Sequence, residues 1–107
     1  MLLCIDIGNT TVTLGAFEGT RLVTTLRVAT DTRRLADEYG LLVINLLNQK
    51  GVDPKKIDAI SMCSVVPPLT GVFDEVCRVF FNVDPLIVTV GVRTGLRISY
   101  ENPRDVG

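Results

Sequence analysis

The segment Asp6-Ile7-Gly8-Asn9-Thr10-Thr11 carries the residue types that could do chemistry in this chain. Asp6 is the first charge, and it follows an apolar run, Met1 to Ile5, that reads as a buried strand. Gly8 lets the backbone approach a phosphate closely, and the N–H groups around it suit an anion. Asn9, Thr10 and Thr11 add side-chain donors. A Mg²⁺ ion on that phosphate takes oxygen ligands and keeps several waters. Asp6 at a strand end can orient those waters or hold a metal that bridges phosphates, and it could equally act as a base. The same residues would also make an ordinary hairpin turn, since Gly and Asn are common there. The turn leads into a second strand-like run, Val12 to Phe17, rather than into a helix. That order, with no G-x-G-x-x-G and no P-loop lysine, argues against a dinucleotide fold and a Walker-type site.

Other chemistries are narrowed by composition. The chain has no histidine, which removes His acid–base catalysis, Ser-His and Cys-His pairs, and His metal sites. Any metal should be a hard cation held by oxygen. Cys4, Cys63 and Cys77 are an odd count with no C-x-x-C spacing, and two of them sit in apolar runs, which suits buried free thiols in a reducing compartment. With 47% hydrophobic and 21% charged residues, the 107-residue chain fits one packed domain or one lobe and not a disordered segment. The net charge of −1 comes without a basic stripe, so no nucleic-acid partner is expected. No apolar run approaches the ~20 residues of a membrane span. No secretory signal pattern opens the chain, which therefore reads as cytoplasmic with no membrane partner.

The elements that must position the turn follow from periodicity. Leu2–Ile7, Val12–Phe17 and Arg21–Ala29 read as three hairpin-linked strands, with Glu18-Gly19-Thr20 as the second turn. Alternation predicts that Leu22, Thr24, Leu26 and Val28 share a face. Thr30-Asp31-Thr32 offers N-cap candidates for a helix whose stripe is Leu35, Tyr39, Leu42, Val43, Leu46 and Leu47. Lys50-Gly51 closes it. Gly40 inside this helix costs about 1 kcal/mol relative to Ala, which close packing on the sheet would explain. Ile57–Val66 reads as a buried parallel strand, and Pro67-Pro68 start a second helix with the stripe Leu69, Val72, Phe73, Val76 and Phe80. Leu86–Val90 is a further buried strand, Gly91–Gly95 a loop, and Leu96–Tyr100 a short edge strand. The expected class is α/β, a mixed sheet of three antiparallel N-terminal strands followed by helix-connected parallel strands. No element closes at Gly107, so the chain reads as a lobe of a larger protein.

In this setting Asp6-Ile7-Gly8-Asn9-Thr10 resembles the first phosphate loop of the acetate kinase, sugar kinase, Hsp70 and actin superfamily. More narrowly, the chain resembles the start of a type III pantothenate kinase. Asp37-Glu38-Tyr39-Gly40, Ser64-Val65-Val66-Pro67-Pro68 and Tyr100-Glu101-Asn102-Pro103-Arg104-Asp105-Val106-Gly107 carry that closer match, in the family's order and spacing. The resemblance implies a ribonuclease-H-like (actin-like ATPase) lobe over residues 1–107, with a second lobe beyond the end. It implies ATP-dependent phosphorylation of pantothenate to 4'-phosphopantothenate, the first step of coenzyme A synthesis, by a homodimer. The implied ATP-binding residues are Asp6, Ile7, Gly8, Asn9, Thr10, Thr11, Val12 and Thr13, with Asp6 also serving Mg²⁺. Tyr100 and Gly107 are the implied substrate residues, and a monovalent cation, K⁺ or NH₄⁺, is a further requirement. In the family the glycine matching Gly107 opens a Gly-Ala-Asp-Arg motif whose aspartate is the base. That aspartate is not in this chain, so the chain alone is expected to be inactive. Some relatives are described as transcriptional accessory factors, which makes a regulator with a kinase-like fold the alternative. Arg33, Arg34, Arg93 and Arg97 are read as surface charges, and Glu38 as part of helix structure.

Overall fold

The computed structural model describes residues 1–90 and 98–101. The chain order is β1 (Leu2–Ile7), β2 (Thr11–Glu18), β3 (Arg21–Ala29), α1 (Ala36–Gln49), a 3₁₀ turn at Pro54–Lys56, β4 (Ala59–Ser64), α2 (Pro67–Phe80), β5 (Leu86–Val90) and β6 (Ile98–Glu101). The sheet order is β3-β2-β1-β4-β5-β6. β1 pairs antiparallel with β2 and parallel with β4, and β4 pairs parallel with β5. Edge strand β6 returns antiparallel to β5. This is the expected mixed α/β sheet. β6 ends one residue past the predicted edge strand, and Leu96 and Arg97 lie outside the described residues.

The core lies on one face. Leu3, Ile5 and Ile7 of β1, Val12, Leu14 and Ala16 of β2, and Ile60 and Met62 of β4 pack with Tyr39, Val43 and Leu47 of α1 and Leu69, Phe73 and Val76 of α2. Between the helices the rings of Tyr39 and Phe73 meet with centroids 4.7 Å apart at 45°. Among the described residues, no helix covers the other face. There Cys4 and Cys63 are only half-buried, and Cys77 is the buried thiol. The expectation of two buried thiols is therefore met by one, Cys77, and not by Cys4 and Cys63. They occupy the sheet positions that alternate with the core residues.

Three further expectations change, each for a local reason. The register between β2 and β3 shifts at Ala16/Phe17, so that Thr24 pairs with Ala16 but Leu22 with Phe17. One extra residue reverses the alternation. Leu22 turns away from the core and is 49% exposed, while Leu26 is buried. Helix α1 starts at Ala36 and not after Thr30-Asp31-Thr32. The Glu38 carboxylate accepts the Leu35 N–H at 2.9 Å, so a side chain one turn inside the helix caps it. Leu35, assigned to the stripe, is 68% exposed. Gly40 faces α2, not the sheet, because a Cβ there would overlap the ring edge of Phe80.

β4 is shorter than its apolar run. Ile57 ends the 3₁₀ turn, and Val66 is the N-cap of α2 with φ −124° and ψ 85°. The residue before a proline is disfavoured in the helical region, which places the helix start at Pro67. The closing signal of α1 holds. Gly51 has φ +81°, and the Val52 N–H returns to the Leu47 carbonyl at 2.9 Å.

Candidate functional site

Three chain segments converge where β1 ends. The first is the turn between β1 and β2. Gly8 donates its N–H to the Thr11 carbonyl at 3.0 Å, which closes the turn around Asn9 and Thr10. A Cβ on Gly8 would lie 3.0 Å from the same carbonyl oxygen, a contact tight enough that the closed turn would have to give by a few tenths of an ångström. Asn9 and Thr10 are exposed at the tip. Their N–H groups have no partner among the described residues, so both remain available to an anion.

The second segment follows β3. The Thr30 N–H donates to the Thr10 carbonyl at 3.0 Å, and the Thr30 hydroxyl donates to the Gly8 carbonyl at 2.7 Å. Thr30 thus grips the turn at two points. Sequence reasoning assigned it to a helix cap. The signal that would have found it is the β2–β3 pairing, which extends the ladder one residue past Ala29. Beside it, Asp31 accepts the Arg33 N–H at 2.9 Å and the Arg33 guanidinium at 3.2 Å. Those hydrogen bonds hold the Asp31 carboxyl below the usual carboxylate range.

The third segment follows β4. The Val65 N–H donates to the Ile7 carbonyl at 3.1 Å, tying this crossing to the end of β1. Ser64 is buried and accepts the Val66 N–H at 3.1 Å and the Thr70 hydroxyl at 2.9 Å. The Ser64-Val65-Val66-Pro67-Pro68 block is therefore a satisfied strand-to-helix corner.

Asp6 is exposed, with no hydrogen bond or ion pair among the described residues. It pairs in register with Thr13 on β2 and Cys63 on β4. These three residues share the helix-free face. Burial, and then the negative charge of Asp6, push the Cys63 thiol up. Thr13 is exposed and Thr11 half-buried. Ile7 and Val12 are fully buried in the core, so only their backbone atoms can meet a ligand. Tyr100 lies on β6 opposite Val88. Gly107 lies outside the described residues, as do Arg93 and Arg97. Arg34 stacks over the Tyr39 ring, 5.7 Å from its centroid.

The described residues hold no group of three or more Cys, Asp and Glu that could cage a metal. A single free carboxylate two residues before an exposed Gly-containing turn fits Mg²⁺, which is bound through one or two carboxylates plus phosphate oxygens and keeps its waters. The arrangement can therefore place a nucleotide phosphate on the tip of the turn and its metal near Asp6.

Comparison with known proteins agrees on fold and family. A ROK hexokinase from Thermus thermophilus superposes with a TM-score of 0.59 over 82% of this chain and 34% of its own, at 17% identity. YeaZ from Pseudomonas aeruginosa gives 0.56 over 82% and 43%, at 19% identity. The likeness to these two structures is one of fold, and the strand order β3-β2-β1-β4-β5-β6 is consistent with it. Curated type III pantothenate kinases from Myxococcus xanthus and Pelobacter propionicus are 50% and 48% identical over 107 residues. The chain spans 42% of the length of each of these relatives. The model of the type III pantothenate kinase family matches residues 2–107, and the chain belongs to that family.

Proposed function

We propose that this chain is the first phosphate-binding lobe of an enzyme that transfers the γ-phosphoryl group of ATP to the hydroxyl of pantothenate. The product is 4'-phosphopantothenate, and the reaction opens coenzyme A synthesis. The observation that carries the reading is the unpaired Asp6 carboxylate beside the closed Gly8–Thr11 turn, in a chain of this family. The exposed tip at Asn9 and Thr10 binds the phosphates through backbone and side-chain donors. Asp6 holds or orients Mg²⁺, and the metal, when bound, neutralises charge on the phosphate oxygens. The pantothenate oxygen forms a bond to the γ-phosphorus as the bond to the bridging oxygen breaks. ADP leaves with that electron pair, and the hydroxyl proton passes to a carboxylate supplied by sequence that follows Gly107. Catalysis is then chiefly positioning and charge neutralisation.

The same reading gives the full protein a second lobe, a homodimeric state and a monovalent cation, K⁺ or NH₄⁺. It places Tyr100 and Gly107 against pantothenate and the protein in the cytoplasm. No helix among the described residues is long and apolar enough to cross a membrane. The test is the full-length protein with ATP, Mg²⁺ and pantothenate, assayed for phosphopantothenate by mass with and without K⁺. Formation of the product, stimulated by K⁺, is expected. A folded full-length protein that binds ATP and forms none would overturn the assignment.

A further inference from the structure

We propose that Thr30 is a positioning residue that holds the Gly8–Thr11 turn and aims its Asn9 N–H at the phosphate, and that Tyr39 fixes Thr30 for that task. The inference rests on the reading of this turn as the nucleotide phosphate site.

The peptide group is planar and trans, so its C=O and N–H point in opposite directions. The Thr30 hydroxyl donates to the Gly8 carbonyl at 2.7 Å. The N–H on the other end of that peptide is that of Asn9, which has no partner among the described residues. Fixing the carbonyl therefore fixes the Asn9 N–H, aimed away from Thr30. The Thr30 N–H holds the Thr10 carbonyl at 3.0 Å and so fixes the peptide between Thr10 and Thr11, on the far side of the tip. One residue thus sets two peptide planes of a turn whose tip residues, Asn9 and Thr10, are exposed.

Thr30 is held in turn from the core. The hydroxyl of Tyr39 accepts the Asp31 N–H at 2.8 Å and faces the carbonyls of Asp31 at 3.1 Å and Ala29 at 3.3 Å. It engages the residues immediately before and after Thr30. Tyr39 is fully buried, and its ring packs on Phe73 of α2. A continuous chain of contacts therefore runs from the helix layer, through Tyr39 and Thr30, to the turn.

The experiment uses the full-length protein and the variants Thr30→Val, Thr30→Ser and Tyr39→Phe. Valine keeps the β-branched shape and removes the hydroxyl, while serine restores it. In Thr30→Val the KM for ATP should rise about fivefold to tenfold, the worth of one hydrogen bond. The KM for pantothenate should stay unchanged, and Thr30→Ser should return the KM for ATP towards wild type. Tyr39→Phe should move the KM for ATP the same way by a smaller factor. A second readout needs no turnover. Amide hydrogen exchange without nucleotide should speed up at Gly8 in Thr30→Val and be protected again in Thr30→Ser. An unchanged exchange rate at Gly8, or equal changes in both Michaelis constants, would overturn the role. If the wild-type protein makes no phosphopantothenate, the functional reading fails, and exchange at Gly8 still decides what Thr30 does.

Discussion

Gly8 and Asp6 sit two positions apart and place opposite demands on the chain. Gly8 needs space: its closing N–H bond brings the Thr11 carbonyl to within 3.0 Å of any added Cβ. Carbon–oxygen contacts normally settle near ~3.3–3.6 Å, so Gly8→Ala must open the turn by a few tenths of an ångström. The stability change should be about 1 kcal/mol. Because the displacement falls on the phosphate site, kcat/KM for ATP in the full-length enzyme should drop about tenfold or more. Steady-state kinetics beside thermal melts separate the two effects, and a Gly8→Ala enzyme that keeps the wild-type kcat/KM for ATP would refute the argument. Asp6 needs solvent and a cation instead. It is exposed and unpaired, so Asp6→Asn should change stability by less than about 0.5 kcal/mol. Turnover should fall by about a hundredfold or more, as removal of a charge aimed at the reacting group does. An independent readout is Cys63, whose thiol is raised by burial and then by Asp6. Removing the charge should lower that thiol's pKa and speed its alkylation by iodoacetamide at pH 8. An alkylation rate equal to wild type would separate the two side chains.

At the scale of elements, helix α1 shows what a sequence pattern carries and what it omits. The 3.6-residue spacing of Tyr39, Val43 and Leu47 marks the buried stripe, and these three residues are buried. The helix start was not legible, because Thr30 is drawn to the Gly8 carbonyl and Asp31 to Arg33. Both polar side chains have local competitors that no helix-cap pattern reveals. The face of Leu22 was hidden by the bulge, since strict alternation fails wherever one residue is inserted. The turn itself was legible because its residue types, its place after an apolar strand and its glycine all agree. Gly40 is legible only in three dimensions. Replacing it by Ala gains about 1 kcal/mol in helix propensity. The overlap with the Phe80 ring works against that gain, and overpacking costs about 1–3 kcal/mol. Gly40→Ala should therefore lower stability, by about 1 kcal/mol net in urea unfolding. In a Phe80→Ala background the same change should become neutral or stabilising, because the ring is gone. A Gly40→Ala variant more stable than wild type would show that the two helices do not pack this closely.

For the whole molecule, the pH dependence of stability reports how well the two-layer core excludes water. Cys77 faces that core from α2 and is fully buried. Burial, then the charge of Asp74, push its thiol up to about 12 from an ordinary 9.0, with Arg78 opposing the shift. In the unfolded chain the thiol ionises near its ordinary value, while the folded protein keeps the proton. Between pH 9 and about 12 the unfolded state therefore binds fewer protons, and stability falls as pH rises through that window. The contribution is fully present below pH 9 and declines by about 1.4 kcal/mol per pH unit above it. Other groups titrate in the same range, so the comparison must be with Cys77→Ala, which lacks only this one. At pH 7 that variant should be less stable by about 1–2 kcal/mol, from lost packing. On raising the pH the deficit should shrink, and the two stability curves should cross by about pH 10–11, where loss at the thiol exceeds loss of packing. Urea unfolding of both proteins from pH 7 to 11, in the presence of a reductant, measures the gap directly. A gap that stays constant across that range would mean that Cys77 ionises alike in the folded and unfolded states, and that water reaches the layer between sheet and helices.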